Sequence, residues 1–183
     1  MRLLFLCTGN TCRSPMAAAI TAAKAQARGL RVDVSSAGVR AEDTIAPPAV
    51  AVLRARDIDV AADRRAVQAT ADLVRSADLI LCATVAHREL VCAEFLPATD
   101  ADADAGDLAA RIVVWAEFVA RARAAAPETD LAGLLASPPL PMPAAEIDLA
   151  DPAGRGDPAY AAAAAQIDTL ADALLDIVAT HSR

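Results

Sequence analysis

Residues Arg2 to Met16 read RLLFLCTGNTCRSPM. The apolar run Leu3-Leu4-Phe5-Leu6 is too short for a helix and stops at Cys7, the pattern of a buried β-strand. Thr8, Gly9, Asn10 and Thr11 are turn residues, and Gly9 and Asn10 are the two types that most readily accept positive φ. Ser14 stands where a helix N-cap belongs and Pro15 at the first helical position, so a helix is expected at once, running through AAAITAAKAQAR to Gly29. The loop therefore joins the C-terminal end of a strand to the N-terminus of a helix. That geometry aims several unpaired backbone N–H groups, and the positive end of the helix dipole, into one hollow. Cys7 brings a nucleophile to its lip and Arg13 a planar fork of donors matched to phosphate oxygens. Donors that attract phosphate also favour the thiolate form of Cys7.

The string Cys7-Thr-Gly-Asn-Thr-Cys-Arg-Ser-Pro15, with Cys-x5-Arg followed by serine, resembles the phosphate loop of the low-molecular-weight protein tyrosine phosphatases. That family also includes thioredoxin-linked arsenate reductases. The resemblance implies an α/β fold: a single three-layer domain with a central four-stranded parallel sheet of order 2-1-3-4, flanked by helices. It also implies that Thr8, Gly9, Asn10, Thr11, Cys12 and Arg13 wrap a phosphoryl group. Cys7 would be the nucleophile, Ser14 would hydrogen-bond its sulfur, and Asn10 would hold the loop in shape, braced by Ser36 of the Ser35-Ser36-Ala37-Gly38 turn. Cys12 occupies the family's position for a redox partner of Cys7; a reversible disulfide and a passive second cysteine are both open.

A chain of 183 residues fits one domain with a substantial core. Apolar residues make up 56%, interleaved with charge, so no membrane-spanning segment is expected. The apolar strand follows a single Arg with no small-residue cleavage site before the loop, so a secretory signal is not expected either. The four cysteines at 7, 12, 82 and 92 lack paired Cys-x2-Cys spacing, and His87 and His181 are the only histidines, which leaves no expected metal site and no cofactor. A reactive thiolate belongs in a reducing compartment, the cytoplasm. The net charge of −7 argues against nucleic acid as a partner.

Leu30-Arg-Val-Asp-Val34 alternates apolar and polar residues as a second strand, and Pro47-Pro48 opens a helix to Arg56. The family's cleft-lining aromatic is missing from residues 39–44. Asp63 stands where the family offers a histidine to the network under the loop. Thr70 to Ser76 suits a short helix, and Ala77 to Ala83 a third strand followed by a helix from Val85 to Val91, on which His87 reads as a packing or surface residue. The acidic tract 98–107 reads as a solvated loop without a calcium-loop pattern. Arg111 to Trp115 fits a fourth strand, or part of one longer helix from Asp107; periodicity leaves both open. Residues 126–146, rich in proline, read as a surface insertion. A final helix runs from Pro158 to Thr180, with Ile167, Leu170, Leu174 and Ile177 on one face.

Asp151-Pro152 lies nine residues before Tyr160, the spacing of the family's acid loop, so the resemblance makes Asp151 the proton donor to the leaving group; Asp148 and Asp157 compete for that role. The usual aromatic after the pair is Ala153 here. The expected reaction is phosphate-monoester hydrolysis through a cysteinyl-phosphate, with a phosphorylated protein or small phosphate ester as substrate and inorganic phosphate as product. Arsenate reductase is an alternative because of Cys82 and Cys92, although Thr84 stands at the reductases' first resolving position. A non-catalytic phosphate-binding module is a second.

Overall fold

The strand that ends in Cys7 becomes the second of four in a wholly parallel sheet. A computed structural model describes residues 1–96, 105–126 and 128–181. The strands are β1 (Arg2–Cys7), β2 (Asp33–Gly38), β3 (Leu79–Cys82) and β4 (Ile112–Val114), in the order β2-β1-β3-β4 that the sequence implied. Parallel neighbours need crossovers, and helices supply them. In chain order these are α1 (Arg13–Ala27), α2 (Pro47–Arg54), α3 (Ala71–Ser76), α4 (Val85–Phe95), α5 (Ala105–Arg111), α6 (Trp115–Ala124), α7 (Leu131–Ala136), α8 (Ala144–Ile147) and α9 (Asp157–His181).

Alternation along β1 sorts the core into two layers. Leu3, Phe5 and Cys7 face one side with Leu79, Leu81 and Val113, against Met16 and Ile20 of α1, Phe118 of α6 and Ile167 and Leu174 of α9. Leu4 and Leu6 face the other side with Ile80, Cys82 and Ile112, against Val74, Val91 and Leu108. β1, β3 and β4 are buried on both faces, which is why they read as apolar runs, whereas edge strand β2 is polar and partly exposed along its first half. Phe5 meets Trp115 edge-on, ring centres 4.7 Å apart.

Three local expectations change. Helix α1 begins two residues early, with Cys12 as N-cap, so Ser14 and Pro15 are its second and third residues. Pro15 fits there because a first-turn N–H has no partner within the helix anyway. The helix closes on a Schellman motif: Gly29, at φ 66°, donates to Gln26 O and Leu30 N to Ala25 O. Because that motif takes up Leu30, β2 starts only at Asp33, and its last four residues are the Ser35-Ser36-Ala37-Gly38 stretch, with Gly38 opposite Cys7. The two readings of 107–115 are both partly right: α5, β4 and α6 abut without a linking loop. The acidic tract falls largely on 97–104, outside the described residues, and its last three residues begin α5.

Within 126–146 the chain forms α7 and starts α8, and it is tied to α6 by a buried pair. Arg121 donates to Leu134 O and Ser137 O, Glu117 accepts from Leu140 N, and the two side chains lie 3.3 Å apart. Each charge is thus bonded to backbone as well as to its partner, the condition under which a buried ion pair is tolerated.

Candidate active site

The loop after β1 is held by its outer edge. The carbonyls of Cys7, Thr8, Gly9 and Thr11 accept from the amides of Val39, Arg40, Glu42 and Ala46, at 2.9–3.0 Å. In a trans peptide the C=O of one residue and the N–H of the next point opposite ways. Engaging those carbonyls outward therefore turns the N–H groups of Thr8, Gly9, Asn10 and Cys12 inward, and none of these has a partner among the described residues. Of the two residues expected at positive φ only Asn10 adopts it, at 55°. Gly9 has a negative φ, and a Cβ there would lie 2.8 Å from the carboxyl carbon of Glu42, an exposed side chain free to swing aside.

Asn10 is fully buried and uses both ends of its amide, donating to Ser14 Oγ and Ser36 Oγ at 2.9 Å each and accepting from Val67 N at 2.9 Å. Ser36 Oγ also accepts from Arg64 at 3.1 Å. The cation of Arg64 thus joins the network at the place to which the family resemblance assigns Asp63. The Asp63 side chain is exposed, so its charge does not enter the ring under the loop. Gly38 closes the same ring from β2, since a Cβ on it would lie 2.4 Å from Thr8 O and 2.9 Å from Asn10 N. That requirement has no local sequence signal; it follows from pairing Gly38 with Cys7.

Cys7 Sγ sits 2.9 Å from Ser14 Oγ, both buried. Arg13, 7% exposed, sends one guanidinium nitrogen to Leu149 O at 3.3 Å and the other to Asp151 Oδ2 at 2.7 Å. The other Asp151 oxygen accepts from Ala153 N at 3.1 Å, an Asx turn that fixes the carboxylate over the loop. The two competing aspartates are placed elsewhere. Asp148 accepts from Val85 N at the start of α4, and Asp157 is the exposed first residue of α9.

Behind the loop, Cys12 Sγ meets Tyr160 Oη at 3.1 Å. Burial, then the bond to Cys12, pushes the Tyr160 phenol up, so it stays protonated. Cys82 lies in the opposite core layer from Cys7, and burial pushes its thiol well up, with Cys92 adding to the effect. A buried protonated thiol across the sheet cannot exchange with Cys7.

His87, read from sequence as a packing or surface residue, is buried at the head of α4 between two hydroxyls: Nδ1 lies 2.7 Å from Thr84 Oγ1 and Nε2 2.8 Å from Thr8 Oγ1. Desolvation, with the Arg13 charge, pushes its pKa down to about 4, and Asp151 and Asp148 pull less strongly the other way. The unfolded chain, titrating near 6.5, then binds more protons between those two values. His87 therefore contributes its full stability above about pH 6.5 and loses it as the pH falls toward 4, by about 2–3 kcal/mol. Urea unfolding at pH 7 and pH 4.5 should show this component in the wild type and not in His87→Gln.

This arrangement has known counterparts. The family model described as low molecular weight phosphotyrosine protein phosphatase matches residues 2–126. The protein-arginine-phosphatase of Bacillus subtilis is 41% identical over 97 residues, which cover 52% of this chain and 63% of that protein. A solved structure of YwlE arginine phosphatase, as a Cys-to-Ser mutant with a phosphorylated active-site serine, superposes with a TM-score of 0.74 at 27% identity, covering 98% of this chain and 96% of the other. The low molecular weight protein tyrosine phosphatase of T. tengcongensis gives 0.71 at 30% identity, over 96% and 98%. With the family pattern matched over more than half its length and the four-stranded order reproduced, this chain belongs to the low molecular weight phosphotyrosine protein phosphatase family.

Proposed function

We propose that the chain is a cysteine-dependent phosphatase acting on phosphorylated protein side chains or small phosphate esters. The observation that carries this reading is the loop whose carbonyls are engaged outward and whose free amides surround Cys7, with Arg13 beside them. The thiolate of Cys7 attacks phosphorus while the inward amides and Arg13 hold the equatorial oxygens, where charge spreads in the transition state. As the bond from phosphorus to the leaving atom breaks, Asp151 gives that atom a proton. Asp151 then takes a proton from water, the water oxygen attacks phosphorus, and the S–P bond breaks to return the thiolate and release inorganic phosphate. Ser14, 2.9 Å from the sulfur, stabilises it as it leaves. Thr8 to Cys12 supply the amides, Ser36 and Asn10 hold the loop, and Cys12 is a candidate disulfide partner for Cys7. No metal or cofactor enters these steps, and such a thiolate works in a reducing compartment such as the cytoplasm. Residues 1–183 form one such domain, with 126–146 an insertion on its surface.

Asp151→Asn should lower kcat/KM, which reports formation of the cysteinyl-phosphate and not its hydrolysis, by about 10²–10⁴ on a substrate with a poor leaving group and by far less on p-nitrophenyl phosphate, whose leaving group needs little protonation. Equal losses on both would remove Asp151 from the acid role.

Among protein substrates, the rim favours a phosphorylated arginine over a phosphotyrosine. Residues 39–44 and position 153 hold no aromatic to stack on a phenyl ring, whereas the exposed carboxylates of Glu42 and Asp151 border the loop and suit a cationic guanidino group. The similarity to a protein named protein-arginine-phosphatase points the same way. Phosphate release from matched phosphoarginine and phosphotyrosine peptides tests it; faster turnover of the tyrosine peptide would reverse the assignment.

A further inference from the structure

A chain of hydrogen-bonding groups runs from buried Thr84 through buried His87 to Thr8 of the phosphate loop. Thr84 caps α4: its Oγ1 accepts the backbone N–H of His87 at 3.1 Å. The Thr84 side chain is buried, and the only acceptor for its own proton among the described residues is His87 Nδ1, at 2.7 Å. If Nδ1 carried the imidazole proton instead, the Thr84 hydroxyl proton would be buried with no acceptor, which protein interiors avoid. Nδ1 is therefore the acceptor and the ring proton sits on Nε2. Nε2–H then donates to Thr8 Oγ1 at 2.8 Å. Thr8 Oγ1 spends a lone pair on that bond, so its own proton must turn away from His87. Thr8 is an exposed residue immediately after Cys7, and among the described residues its hydroxyl has no second partner.

We propose that Thr8 supplies a side-chain hydrogen bond to an oxygen of the phosphoryl group bound at the Cys7 loop, and that His87 is the positioning residue that aims it, through the relay Thr84 O–H to Nδ1 and Nε2–H to Thr8 Oγ1. The phosphate loop then gains a donor beyond its amides and Arg13, the Thr8 hydroxyl, oriented by His87 from the head of α4. The inference rests on the phosphatase reading of the loop only in taking phosphate as the ligand.

Its test does not need turnover. With His87 and His181 the only histidines, ¹⁵N spectra of the ring nitrogens at neutral pH report the tautomer directly. Nε2 protonated and Nδ1 bare is expected, and the opposite tautomer overturns the relay. Titration with inorganic phosphate supplies the second arm. Thr8→Val and His87→Leu should each weaken phosphate binding about tenfold, the loss of a hydrogen bond to a charged acceptor. The double variant should be no weaker than either alone, because both remove the same donor. His87→Gln, whose amide offers a donor and an acceptor, should recover most of what His87→Leu loses, which also guards against His87→Leu acting through misfolding. Multiplying losses in the double variant, or no loss in Thr8→Val, would refute the proposal. A protein that binds phosphate in this coupled way but turns over no phosphate ester would sink the catalytic reading and leave the relay standing.

Discussion

Cys7→Ser should leave phosphate release at least about 10⁴-fold below the wild type, while inorganic phosphate still binds. A serine hydroxyl at neutral pH is a far weaker nucleophile than a thiolate, and the removal of a covalent nucleophile is among the largest single losses recorded for enzymes that act through an intermediate. The remaining parts of the site do not depend on the sulfur. The loop carbonyls stay tied to Val39, Arg40, Glu42 and Ala46, and Arg13 stays placed by Leu149 O, so the amides still converge. The experiment is a steady-state assay beside a phosphate titration on the same preparation. Residual turnover within tenfold of the wild type would mean that another group attacks phosphorus. A loss of phosphate binding along with turnover would mean that the variant had collapsed the loop and had not tested the chemistry.

Gly38→Ala should be nearly as damaging, although Gly38 touches no substrate. A single methyl group there would meet Thr8 O at 2.4 Å, with Asn10 N and the Gly9 carbonyl carbon both at 2.9 Å, and all three belong to loop backbone. Neither side can yield easily. Gly38 is fixed from behind by its amide to Val67 O and by Ala69 N to its carbonyl, and the loop is fixed by Asn10. Displacing a reacting centre by about 1 Å can cost 10²-fold in rate, and forcing extra volume into a packed site destabilises by about 1–3 kcal/mol. A drop of at least 10²-fold in kcat/KM with a lower urea midpoint is therefore expected. Native activity in Gly38→Ala would show that the loop is softer than its bonding implies.

The contrast between these two residues shows what the sequence could and could not convey. Cys7, Arg13 and the turn residues between them lie within one short stretch, and their chemistry, spacing and neighbours say together that a strand ends, a backbone curls and a helix begins. The sheet order followed from the family resemblance and was reproduced. Gly38, Arg64 and His87 carry no comparable local sign. Each acts on the loop from 25 or more residues away, and which residue of a strand or turn faces the loop is set by register, a long-range property. The strand expected at 30–34 lies at Asp33–Gly38 for that reason. Its alternation fits a strand, but the pairing with β1 that ends at Cys7 and Gly38 fixes the boundary further on. Serine before proline is ordinarily a cap, but the Ser14 hydroxyl is taken by Asn10 and the sulfur, and Cys12 is the N-cap.

The bond between Arg13 and Asp151 carries a last consequence. The guanidinium is paired with an acidic side chain supplied by the chain itself. On the function proposed above, an arriving phosphoryl group would replace one oxyanion by another, so the fork would never have to be stripped bare of partners to admit it. Exchange of this kind favours a doubly charged newcomer over a singly charged one and gives a neutral ester nothing to trade, so the resting contact is itself a filter for ionised guests.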